Sequence, residues 1–463
     1  MKRFVIITAL SGLSLWLTAC HPAAPHAATT PERPPTTLAT ATAEPPPAPV
    51  DACSLILVPH EGTGKTDQEI IRLQQKIRSE NKPGPWIEGL GWAFITKARE
   101  SFDPGYYKLA EQCAFCLDAH EPHSLEAMLL RGHVLQNLHR FKEAEPLARA
   151  LVAQRGLAYD YGLLGDVLME QGRLDEAVEA YQKMVDQKPD MQAYIRIANV
   201  RWLKGDLAGA TEVMQLAAGA ASPNAPEAAA WVNTRLAYLK FLNGEITGAT
   251  ENCGVAVDYQ KDYAPALLLQ GRLLLAQGSA AEAAEVLERA AQLNPLPDYQ
   301  WVLSEALQAC GRDNEARQVA DEMSQQAATT DPRTYALYLA TSGQSPALAL
   351  ELARNELKTR SDVFTHDALA WALAANGQNE EAWQEMQSAL AEGTQDPRLY
   401  LHATVLAAKA GHAEAAQTWM NKAAGLAQLL LPSERKQLQQ TAASLGQLDQ
   451  EEAPADTTFN SGG

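Results

Sequence analysis

Four potential metal ligands stand close together in this chain: Cys113, Cys116, His120 and His123. Counted from Cys113, offsets of three, seven and ten place them on one face of a helix, within reach of a tetrahedral ion. The same stripe carries Leu109, Ala110 and Leu117, which turns both cysteines toward a core. Pro122 bends the end of that helix and takes His123 out of line. Small buried thiols, or a disulfide in an oxidising compartment, therefore explain the cysteines better than an ion, and neither a metal nor a cofactor is expected. Cys116 is followed by leucine, which excludes c-type haem attachment. The candidate disulfide residues are Cys53, Cys113 and Cys116; a bond from Cys53 would staple the segment before residue 86 onto the helix that carries the other two. Cys253 reads as core, and Cys310 stands beside Gly311.

A second grouping imitates phosphate chemistry. His60-Glu61-Gly62-Thr63-Gly64-Lys65-Thr66 follows an apolar, strand-like run at 54–58. A phosphate-binding loop needs glycine where Pro59 stands, and no alternating strand–helix pattern follows to hold it. The segment reads instead as a flexible lead-in to a helix at 68–78. Serines, histidines and acids form no nucleophile elbow, no H-E-x-x-H and no scaffolded carboxylate pair, so the chain does not read as an enzyme.

What positions these residues is a periodic array. Ala110, Ala144, Ala177, Ala210, Ala249, Ala283, Ala316, Ala349, Ala382 and Ala416 follow one another at steps of 34, 33, 33, 39, 34, 33, 33, 33 and 34. Glycine stands five residues before most of them (Gly105, Gly172, Gly205, Gly244, Gly278, Gly311, Gly377, Gly411) and six before Ala349 at Gly343, while His139 takes that place in the second unit. Such a period marks supersecondary units that cannot each bury an apolar face alone. Within 159–189, Leu163, Leu164, Val167 and Leu168 mark one amphipathic helix. Gly172 turns the chain, Leu174, Ala177, Val178, Tyr181, Met184 and Val185 mark a second, and Pro189 ends it. The small alanine lets the two helices approach closely.

These units resemble the tetratricopeptide repeat family. Gly165, Leu168, Ala177, Tyr181 and Pro189 fall at its signature places, and Gly271, Leu274, Ala283, Leu287, Ala290 and Pro295 do so again. The resemblance implies an all-α fold: a right-handed superhelical solenoid of about ten tetratricopeptide-like helix pairs over 86–431, with a C-terminal capping helix at 432–446. A longer inter-repeat loop is expected at 222–226, inside the 39-residue step. A disordered acidic tail is expected at 447–463 and a lead-in segment at 51–85.

The amino terminus suggests where the array is delivered. Lys2-Arg3 precede an apolar run from Phe4 to Leu17, and Leu17-Thr18-Ala19-Cys20 resembles a bacterial lipobox. Residues 1–19 then form a lipoprotein signal peptide and Cys20 is the lipidated first residue. The Pro/Ala/Thr-rich stretch 20–50 is an extended tether reaching up to about 90 Å. His21 is not the aspartate that signals inner-membrane retention, so an outer-membrane site facing the periplasm is favoured in a two-membrane cell. Net charge is −18, or −20 without Lys2 and Arg3, which disfavours nucleic acid as a partner.

In tetratricopeptide arrays the first helices line the concave groove. The register places Tyr159, Asp166, Asn199, Trp202, Trp231, Tyr238, Phe241, Arg272, Trp301 and Glu305 there, with Trp92, Asp367 and Trp371 on the same face. Aromatics with polar anchors suit an extended or helical peptide, and Arg272 suits a carboxylate. The expected function is a membrane-anchored envelope scaffold for protein or peptide partners, in assembly or stabilisation of an envelope component, touching the membrane only through its lipid. A small-molecule or glycan module, or a metal-holding accessory subunit of an envelope enzyme, are the alternatives.

Overall fold

The computed structural model describes residues 51–451, with side chains to 446. The expected signal peptide at 1–19, Cys20, the expected tether and the tail beyond 451 lie outside the described residues. Two helices lead in, α1 (Ala52–Ile56) and α2 (Lys65–Ser79). Five antiparallel pairs follow: α3 (Gly84–Ser101) with α4 (Gly105–His120), α5 (Leu125–Asn137) with α6 (Phe141–Gln154), α7 (Ala158–Glu170) with α8 (Leu174–Gln187), α9 (Met191–Leu203) with α10 (Leu207–Gly219), and α11 (Pro226–Leu242) with α12 (Ile246–Tyr259). Two more are α13 (Ala264–Ala276) with α14 (Ala280–Leu293) and α15 (Pro297–Ala309) with α16 (Asp313–Ser324). After the short α17 (Ala327–Thr330) come α18 (Pro332–Ser342) with α19 (Pro346–Leu357), α20 (Val363–Ala375) with α21 (Asn379–Leu390), and α22 (Pro397–Lys409) with α23 (Ala413–Ala424). The helix α24 (Pro432–Glu451) closes the end. The described residues are thus an all-α superhelical array of ten helix pairs.

The register is visible in the packing. All ten alanines, Ala110 through Ala416, are 0 % exposed, each at the contact between paired helices. The facing small residues explain how close that contact is: a methyl group on Gly165 would sit 2.3 Å from the Tyr181 ring, and one on Gly271 2.4 Å from Leu287 Cγ. Turn glycines from Gly172 to Gly411 take positive φ, and His139 does the same at 56° where glycine is missing. In the first unit Phe102, at φ 54°, makes that turn, while Gly105 opens α4. The match of Gly105 to the register is therefore one of spacing only.

Four expectations change. The run 54–58 is not strand-like, because Asp51 caps α1 by accepting from Ser54 N. Nor is the lead-in loose: Ile56 is buried and Gln74 Nε2 donates to Ile56 O and Val58 O, both at 2.8 Å. The helix placed at 68–78 starts earlier, at Lys65. The capping helix is longer than 432–446, and it buries Leu438 and Leu445 against the last pairs.

The superhelix winds tightly enough for its opposite walls to touch. Almost six repeats after α7, the loop behind α19 returns to it: Ser361 N donates to Glu170 O at 3.2 Å, and Arg360 pairs with the Glu170 carboxylate. The loop behind α21 docks likewise on the end of α9, where Thr394 Oγ1 donates to Leu203 O at 2.5 Å and Gln395 Nε2 to Gly205 O at 2.6 Å. Lys204 pairs with Glu392 at 2.8 Å beside them. Gly172 and Gly205 are required twice over at these points. Each holds a left-handed turn, and a Cβ would lie 2.3 Å from Ser361 O or 2.7 Å from Gly393 O.

Candidate functional site

The inner wall is built from the first helices of the pairs, as their apolar stripes require, but opposite walls and α24 cover much of it. Of the ten residues assigned to an open groove, Asp166, Asn199, Trp202, Phe241, Trp301 and Glu305 are buried. The expectation of exposed side chains at these six is corrected. Tyr159, Trp231, Tyr238 and Arg272 keep partly exposed side chains.

Each buried polar residue and both tryptophans have an internal partner. Asp166 accepts two bonds from Arg196, from Nε at 2.8 Å and Nη2 at 2.6 Å, and one from Tyr181 Oη at 3.0 Å. It therefore ties α7 to α9 and α8. Trp202 donates from Nε1 to Gln395 O at 3.0 Å across the lumen. Asn199 accepts from Arg235 Nη2 at 3.3 Å and donates to Met169 Sδ at 3.1 Å. Glu305 receives the start of α24: Ser433 N donates to it at 3.0 Å and Ser433 Oγ donates as well. A carboxylate at a helix N-terminus satisfies orphan N–H groups and opposes the helix dipole. Trp301 packs beneath it, 2 % exposed, with Arg398 over its ring at 4.9 Å. Elsewhere on the wall Asp367 lies 2.7 Å from His402 Nδ1, and Trp371 stacks on His402. Trp92 donates to Glu88 and is half-buried.

Between the walls lies a chamber of about 170 Å³, adjoined by a second of about 100 Å³. First helices from α9 to α22 all contribute to the larger, which carries four arginines (Arg235, Arg272, Arg333, Arg398) against two aspartates (Asp298, Asp331). Arg333 is paired with Asp362 at 3.0 Å and Arg398 with Glu434 at 2.6 Å. Arg235 is different. It is 4 % exposed, burial draws its pKa below the ordinary guanidinium value, and among the described residues no carboxylate offsets this. Burial likewise pushes the Asp331 carboxyl up to about 6, against the Thr334 hydrogen bond and the Arg333 charge. Sequence reasoning found Arg272 but missed Arg235. The signal was available: Arg235 stands four residues after Trp231 and three before Tyr238, on the same helical face.

The cysteine group resolves into a bond and a bystander. Cys53 and Cys116 form a disulfide that staples α1 to α4, while Cys113 is a buried free thiol whose pKa burial pushes well up. His120 is exposed and lies with both bonded sulfurs inside 4.8 Å, but neither sulfur is a thiolate there. His123 sits in a left-handed turn beyond α4, its N–H donating to Asp118 at 3.0 Å. The phosphate-loop imitation is filled from within. Asp67 accepts from Gly64 N at 3.1 Å, and Lys97 reaches it at 2.7 Å. Burial opposes ionisation of Asp67, yet the Lys97 and His60 contacts outweigh it and hold the carboxyl below its usual range.

Paired helices in constant register around an inner wall define a helical-repeat solenoid. The family model described as tetratricopeptide repeat matches residues 129–191, 162–226 and 256–332, so these stretches carry tetratricopeptide repeats. Among solved structures, MamA from residue 41 onward of Desulfovibrio magneticus RS-1 is 25 % identical, covering 32 % of this chain and 82 % of its own, with TM-score 0.26. A crystal structure of MamA is 19 % identical over 35 % of this chain and 94 % of its own, with TM-score 0.29. The human IFIT1 dimer with PPP-AAAA is 16 % identical over 66 % of this chain and 72 % of its own, with TM-score 0.45. No curated protein sequence matches.

Proposed function

We propose that the protein is a non-catalytic scaffold of the cell envelope, anchored by lipid at Cys20, that holds a protein or peptide partner in assembly or stabilisation of an envelope component. The observation that carries the reading is the inner wall. Tyr159, Trp231, Tyr238 and Arg272 keep partly exposed side chains there, on a wall whose other assigned residues are buried in contacts within the array. Half-buried aromatics beside a cation are what anchor a partner at low entropic cost. The Cys53–Cys116 disulfide supports an oxidising compartment, and the lipobox supports the membrane. The acidic net charge argues against nucleic acid.

Two experiments test this. Changing Cys20→Ser should move the protein from the membrane pellet to the soluble fraction; a wild type already soluble defeats the anchor. Affinity capture from detergent-solubilised membranes should lose its specific partner with Tyr159→Ala plus Trp231→Ala, while circular dichroism is unchanged. A partner retained by that folded variant would move the binding surface to the outer faces of the second helices.

A further inference from the structure

The chamber holds one buried cation, Arg235, that no carboxylate pairs among the described residues, and a second, Arg272, that makes no close ion pair. The Arg235 side chain makes one hydrogen bond among the described residues, to Asn199 Oδ1, and otherwise lies against three rings, Trp202 at 5.7 Å, Trp231 at 6.0 Å and Tyr238 at 5.2 Å. Ring faces stabilise a guanidinium but do not replace a counter-charge. One pair along the array, Arg272 has a buried Nε with no hydrogen-bond partner and makes no ion pair among the described residues. Both side chains line the same chamber. Asp396 and Glu434 lie within range of the Arg272 charge, but no such acid acts on Arg235 among the described residues, and a guanidinium left uncompensated inside a protein is costly unless something from outside completes it. The chain has 56 Asp and Glu residues, yet among the described residues none is paired with Arg235.

We propose that the chamber binds a small apolar monocarboxylate, its carboxylate on Arg235 and Arg272 and its body against Leu268, Leu269 and Phe364. The size fits: an apolar cavity of about 150 Å³ accepts benzene, and this chamber is about 170 Å³ with an open mouth for a substituent. The charge fits a monoanion. Asp298 and Asp331 face the same space and oppose a dianion such as phosphate, whereas one carboxylate is met by two planar donor forks. The walls come from α9, α11 and α13 on one side and α18, α20 and α22 on the other, so the site exists only because the superhelix closes. This inference stands on the chamber alone and does not depend on the scaffold reading; partner capture can survive its failure, and the reverse.

The test uses the full chain as purified from cells, with detergent present, at pH 7.5, with benzoate, its neutral isostere benzamide, and inorganic phosphate as probes in titration calorimetry. Benzoate should bind once per chain, with benzamide and phosphate each at least about tenfold weaker. Arg235→Met and Arg272→Met should each lower benzoate affinity by about tenfold or more. The free Arg235→Met protein should melt no lower than wild type, because it loses an uncompensated buried charge, whereas a purely structural arginine would lower the melt and leave affinity unchanged. Should Arg235→Met fail to fold, the partly exposed Arg272 carries the comparison. No saturable benzoate binding, equal binding of benzamide, tighter binding of phosphate, or affinity unchanged in folded Arg272→Met would each overturn the proposal.

Discussion

Individual side chains in this array are used mainly to bind the chain to itself. Asp166 and Glu305 have the composition of binding residues, yet one neutralises Arg196 and the other caps α24. Asp331 shows what such placement costs. Its carboxyl caps α18 by accepting from Thr334 N at 2.9 Å, and burial raises its pKa from 3.8 to about 6, with Arg333 and Asp298 the charges acting on it. The folded state therefore binds this proton more tightly than the unfolded chain, and stability falls as pH rises from about 4 through about 6. Asp331→Asn keeps the cap and removes the buried charge. It should be more stable than wild type by about 2–3 kcal/mol at pH 7.5, with the difference shrinking toward zero near pH 4, as read by chemical denaturation. A constant difference across pH would mean the carboxyl ionises normally.

Helices and turns carry the second kind of constraint. Gly172 and Gly278 occupy the same place in their repeats, both with positive φ, but only Gly172 abuts the opposite wall; around Gly278 a Cβ meets nothing within 4 Å. Gly278→Ala should cost about 1–2 kcal/mol for a left-handed alanine. Gly172→Ala carries the same strain and a clash with Ser361 O, so it should cost clearly more and loosen the loop at 358–362 in hydrogen exchange. Equal costs would show that the walls do not press together there. At the amino end, the Cys53–Cys116 bond closes a separation of 63 residues, which chain entropy values at about 4 kcal/mol. Reduction should free α1 and expose 57–64 to protease, while repeats from α13 onward, distant along a nearest-neighbour array, keep their protection. Unchanged cleavage after reduction would show that Gln74 and the Ile56 contacts hold the lead-in without the bond.

The whole molecule is a closed winding. Its staple is the buried pair of Arg360 with Glu170, which joins residues far apart in sequence. Arg360→Ala strands the Glu170 carboxylate in the interior, a change that typically costs about 3–5 kcal/mol. Parting the walls relieves that penalty by hydrating Glu170. The variant should therefore show a larger radius of gyration by small-angle scattering with little loss of helix by circular dichroism, and weaker benzoate binding. A compact variant would place the closing force in the docking of 392–396 on α9 instead.

The array itself is legible in the chain's residues alone: a repeated small residue at a helix–helix contact leaves its period in the sequence, and Ala110 to Ala416 mark every pair. So is the cysteine staple, as a choice among Cys53, Cys113 and Cys116. Such features are local, set within one unit or its neighbour, and a unit's own residues determine them. What lies beyond the sequence's reach is closure. Whether Trp202 and Trp301 face a ligand or the far wall depends on superhelical twist accumulated over almost six repeats for the first and almost four for the second, in which small rotations per unit add up and no single residue records the sum. The pairing of Trp202 with Gln395, Glu305 with Ser433 and Glu170 with Arg360 is therefore a property of the tertiary structure alone. The same holds for the chamber, where Arg235 and Arg272 come to face helices contributed by the opposite half of the chain.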